Sequence, residues 1–91
     1  MPHITRSGLE TCLAFGEAAL AVAEVAELIG GQLPEGSARD LLLELETAHD
    51  RLRILFDLGQ DTAVHALGLS VLVLADRTAG AIREDRNLSD S

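Results

Sequence analysis

Apolar positions along the chain recur at three, four and seven residues within three segments, and glycine-rich stretches separate the segments. That is the helical period. Ser7 followed by Glu10 makes a Ser-x-x-Glu capping box, which predicts a first helix over about 8–29 that Gly30 and Gly31 close. The loop from Gly31 to Gly36 carries the only internal proline, Pro34. Ser37 is expected to cap a second helix over about 38–58, with Gly59 as its stop. Asp61 is expected to cap a third over about 62–84. Residues 1–84 then form a single helical domain, and 85–91 a polar tail that frays. Connections this short place neighbouring helices antiparallel, so the expected fold is all-α, an up-down-up antiparallel three-helix bundle. One run, Leu69 to Ala75, is continuously apolar with two valines and could pair as a buried strand. Its alanine-rich flanks and the lack of a second strand-like segment favour helix.

The helix faces predict more than the fold. In the second helix Leu45 and Leu52 centre an apolar stripe, with Leu41, Ala48 and Leu55 on one side and Leu42, His49 and Phe56 on the other. Leu43 and Ile54 fall on the opposite face, where a lone bundle would leave them in water, so they are expected to form a second contact surface. In the first helix fifteen of the twenty-one residues from Leu9 to Ile29 are apolar. Its charges are confined to Glu10, Glu17 and Glu24, seven apart, and Glu27. A helix apolar over most of its circumference needs cover on most sides, which three helices of this length do not supply. A homodimer through the first helix is the expected remedy, since two-fold pairing is the commonest closed assembly. Gly16, Ala19, Ala23 and Ala26 would allow the helices to approach closely.

Composition narrows the function. The chain has 91 residues, 15 acidic against 7 basic, and a formal charge of -8. All the basic residues are arginine. Trp and Tyr are absent, and two Phe are the only aromatic rings. So acidic a chain has no basic footprint for nucleic acid, and so few rings give no stacking platform for single strands. The alanine-, leucine- and arginine-rich, lysine-free composition points to a bacterial or phage source. The lone Cys12 cannot form an intramolecular disulfide and is expected to be a small buried hydrophobe. No signal-peptide pattern follows the polar start, Met1 to Ser7. The longest uncharged run, Thr62 to Ala75, is too short to span a bilayer. A cytoplasmic protein with no membrane partner is expected.

Candidate chemistry centres on His49. Glu46-x-x-His49 puts a carboxylate and an imidazole on one helix face, a spacing that can ligate one metal. A central glutamate on one helix and Glu-x-x-His on the next resembles the encapsulated ferritins, short helical chains that build an iron site at a dimer interface. The resemblance implies Glu46 and His49 as the ligand pair, Glu17 or Glu24 as the bridging carboxylate, and iron or another divalent metal as cofactor. The chain departs from that pattern in lacking Tyr and Trp and in its long apolar third helix. Ala48-His49 with Leu58-Gly59 is similar to histidine phosphotransfer domains, which would make His49 the phosphoacceptor. Where those domains place Lys and Gly, this chain has Leu52 and Arg53. The plain alternative is that His49 is a stripe-edge side chain hydrogen-bonded to Glu46. His65 is expected to be a partly buried structural residue, and His3 carries no signal.

No nucleophile elbow, phosphate loop or Ser-His-Asp order is present, so an enzyme is not expected and no cofactor is required. The leading expectation is a small acidic helical protein that acts by protein–protein binding, as an inhibitor, immunity protein or antitoxin does, on a basic protein target. Glu10, Glu17 and Glu24 would steer the encounter, and Leu43 and Ile54 would supply desolvated contact.

Overall fold

A computed structural model describes the backbone of residues 6–90 and the side chains of 8–86. Three helices account for nearly all of it: α1 (Arg6–Ile29), α2 (Ser37–Asp57) and α3 (Asp61–Asp90). There is no strand among the described residues, and the apolar run Leu69 to Ala75 lies in the middle of α3.

The helix ends obey local chemistry, with four departures from the sequence reading. α1 stops at Ile29, as expected, where Gly30 and Gly31 both take positive φ (59° and 91°). The exposed carbonyl of Ile29 accepts a hydrogen bond from the Arg86 guanidinium at 3.0 Å, so a cation neutralises the negative end of α1. α2 ends in a Schellman motif. The N–H of Gln60 donates to Leu55 C=O and that of Gly59 to Phe56 C=O, while Gly59 sits at φ 72°, a conformation that glycine alone adopts without strain. At the start of α2, however, Gly36 holds the cap position (φ 65°, ψ −137°) and no side chain caps the helix. Ser37 is already its first residue, because the left-handed turn after Pro34 falls one residue earlier than a serine cap would need. Likewise Asp61 is the first residue of α3, and Val64 N–H donates to Gln60 C=O. α1 begins at Arg6, ahead of Ser7; the Ser7 half of the proposed capping box lies outside the described side chains, as does His3. Finally, α3 does not stop at Glu84. It continues to Asp90, since 85–90 contains neither glycine nor proline and Arg86 is anchored on α1.

Contacts at both ends fix the directions. Thr11 meets His65 and Ile29 meets Arg86, so α1 and α3 run the same way, and α2, which joins the end of one to the start of the other, returns between them. α3 packs along both partners, whereas α1 and α2 touch over a shorter length. The bundle is a rod of 57 × 19 × 17 Å.

The core is built from heptad-spaced rows. Thr11, Ala18 and Val25 are buried on α1; Ala38, Leu45 and Leu52 on α2; Val64, Val71 and Thr78 on α3. Seven-residue recurrence keeps one seam facing the axis along the whole length of each helix. Thr78 at the axis satisfies its hydroxyl on Leu74 C=O at 2.7 Å, the i−4 bond open to a threonine in a helix.

Candidate functional site: an exposed leucine stripe and an enclosed histidine

The row Thr11–Ala18–Val25 points α1 inward along one line, and that choice decides what remains outside. Leu9, Leu13 and Leu20 stay 52%, 58% and 62% exposed. With Gly16 and Ala23, also exposed, they follow a four-three-four-three spacing along the outer side of α1, the spacing of an unpaired heptad seam. Cys12 borders this stripe and is exposed. The expectation that it is buried is therefore corrected: it is adjacent in sequence to the buried Thr11 but one helical step (about 100°) around.

Glu10, Glu17 and Glu24 lie beside the stripe, whereas Glu27, exposed four residues after Ala23, continues its row. Glu10 and Glu17, with Leu13, Leu69 and His65, line a groove between α1 and α3. Glu24 lies in the continuation of the same groove, with Leu28, Asp76 and Arg83. Leu72 belongs to both stretches, so the groove is continuous along the bundle. Within it Thr11 Oγ1 and His65 Nε2 share a hydrogen bond at 3.3 Å, which gives the partly buried His65 the structural role expected of it. Sequence reading missed Thr11 as its partner; the signal available was its heptad spacing from Ala18 and Val25.

The proposed contact residues do not form one surface. Leu43 and Ile54 are exposed on the outer side of α2, and Leu43 lines a second groove, between α2 and α3, with Thr47, Arg51 and Leu67. Glu10, Glu17 and Glu24 border α3 on the far side of α1.

No family model matches the chain, and neither a curated protein nor a solved structure is detectably similar to it. What it can do must come from its own geometry.

The Glu46–His49 pair is split by burial. Glu46 is exposed. His49 Nε2 is buried and has no hydrogen-bond partner, and its ring lies 6.4 Å from that of Phe15, which stacks on Phe56 at 4.4 Å. Phe15 faces α2, whereas Glu17 and Glu24 border α3, so the carboxylates proposed as bridging ligands are on the other side of α1 from His49. Among the described residues no three His, Cys, Asp or Glu side chains come together as a metal site. Within one chain the four residues do not make a donor set for iron. A phosphoacceptor imidazole needs a nitrogen in solvent; the His49 side chain is half-buried, and its Nε2 is enclosed beside an aromatic pair. Leu58-Gly59 is accounted for by the Schellman turn.

One described stretch, Asp61–Arg86, is long and apolar enough to cross a membrane by length and composition. The uncharged run within it is shorter than a span. The same stretch carries the axial row Val64, Val71 and Thr78, and the central helix of a bundle passes that measure as readily as a spanning one.

Proposed function

We propose that the protein is a non-enzymatic binding module that self-associates through α1 and engages a basic protein target, in the manner of an inhibitor, immunity protein or antitoxin. The observation that carries this reading is the stripe Leu9, Leu13 and Leu20, a row of leucines left more than half exposed opposite the buried row of the same helix. An apolar row of this kind is an interaction surface or a liability to aggregation. A second copy covers it by a two-fold contact in which each stripe meets its own image. The α2 residues Leu43 and Ile54, with the exposed α2 carboxylates Glu44, Glu46 and Asp50, remain for a heterologous partner. Complementary charge would speed that encounter.

Two measurements test the reading. Sedimentation of the wild type is expected to show a dimer, and the paired substitution Leu13→Glu with Leu20→Glu is expected to weaken it by roughly a hundredfold or more, since each buried leucine contributes about 1.5–3 kcal/mol. Both positions are exposed in the single chain, so its helicity should be unchanged. Capture from the native host should recover a basic protein whose retention falls as salt rises. A wild type that stays monomeric at every concentration would refute the self-association. Retention indifferent to salt would refute the charge-steered partner.

A further inference from the structure

We propose that the second copy seats on the whole α1–α3 face, so that Leu69 and Val73 of α3 join Leu9, Leu13 and Leu20 in one self-complementary interface. The proposal rests on the self-association reading above and specifies its surface. Leu69 and Val73 are 67% and 60% exposed on the outer side of α3. Leu69 lines the same groove as Leu13, across a floor that includes Gly68 and Leu72. Leu69 therefore borders the same feature as Leu13, on a helix that runs in the same direction, and Val73 stands one turn beyond Leu69 in a hollow of α3 itself.

Area favours the wider surface. A stable interface covers about 800 Å² on each partner. The outer stripe of one helix the length of α1, about 36 Å long and at most about 10 Å across, offers roughly 350 Å² of footprint. A footprint is smaller than the accessible surface it covers, but two neighbouring stripes and the groove between them offer at least twice the footprint of one helix and so favour the wider contact.

Charge then sets a signature. This face carries Glu10, Glu17, Glu24 and Asp76 against Arg83 and Arg77, which lies beside Leu69 and Val73, and a two-fold contact brings the same excess of negative charge to both sides. Added salt should tighten self-association by screening that repulsion, the reverse of its effect on a basic partner.

The test is a dilution series by sedimentation at low and high salt. Wild type is compared with Leu69→Glu/Val73→Glu and with Leu43→Glu, which alters the α2 side. The α3 double variant is expected to weaken the dimer by roughly tenfold or more and Leu43→Glu by less than about twofold, with added salt tightening the wild-type dimer. In the wild type, the methyl resonances of Leu69 and Val73 should shift on dilution together with those of Leu13, while those of Leu43 and Ile54 stay fixed; this arm holds even if a variant misfolds. If the α3 methyls stay fixed while Leu13 shifts, the proposal is overturned and the narrower α1 dimer stands. A wild type monomeric throughout defeats both. Flotation of the protein with phosphatidylcholine vesicles through Leu69 and Val73, in place of dimer formation, would also overturn it.

Discussion

Replacing Leu52 with alanine is expected to destabilise the protein by about 3 kcal/mol, within the range for a leucine truncated in a close-packed core. Among the described residues Leu45 and Leu52 are the two leucines with no exposed surface, and they stand one heptad apart on α2. Truncation at Leu52 loses the transfer free energy of the removed atoms and also leaves a cavity in the core cluster that it shares with Leu45, Val64 and Val71. A domain of 91 residues has roughly 5–14 kcal/mol of stability in total, so the change removes a large fraction of it. The melting temperature should fall by roughly 12–24 °C. Urea unfolding followed by circular dichroism measures the loss. Both proteins must be held at one concentration, because the proposed self-association would add stability by mass action. A loss below about 1 kcal/mol would mean that the axis is not packed around Leu52.

The same residues explain how far the fold could be read without coordinates. α2 alternates polar and apolar faces clearly enough for Leu45 and Leu52 to be picked out as the centre of its stripe, and Gly59 to be recognised as its end. α1 offers no such contrast. With apolar residues nearly all round, several rows could face the axis, and only packing against α3 selects Thr11, Ala18 and Val25. That is why Cys12 was expected inside and is found outside. The glutamate stripe was visible as a spacing, but its position beside the α1–α3 groove depends on the same selection. The end of α3 carried no stop signal, and its extension follows from the reach of Arg86 to the carbonyl of Ile29 (a contact between residues far apart in sequence). The site was legible in part for the same reason. The pattern shows that α1 has more apolar surface than one chain can cover, whereas which leucines remain uncovered, and that Leu69 and Val73 lie beside them, is a property of the assembled bundle.

His49→Leu is expected to stabilise the protein by about 1–2 kcal/mol. A buried polar atom without a partner costs roughly 1–3 kcal/mol, and His49 Nε2 is such an atom. The ring lies on the heptad row between Leu42 and Phe56, with Phe15 of α1 at its edge, so leucine would place apolar atoms where the surroundings are already apolar. Both accounts of this residue predict a gain in stability, and what else changes with it separates them. If Nε2 is simply enclosed by the bundle, leucine raises the urea midpoint and leaves dimer formation and capture of a basic partner unaltered. If the histidine is kept because its nitrogen is used, through an opening of the α1–α2 seam that exposes it to a phosphoryl donor or a metal, the same substitution raises stability but abolishes the phosphorylated or metal-loaded species. A fall in stability would mean that Nε2 has a partner and that the seam near Phe15 is arranged differently. Because α1 and α2 make the least extensive of the three helix contacts, any such opening would begin at this seam. Hydrogen exchange at the amides around Phe15 and His49, compared between wild type and His49→Leu, would show it. The enclosed-histidine account predicts slower exchange there in the variant, as the gain in stability raises the free energy of local opening.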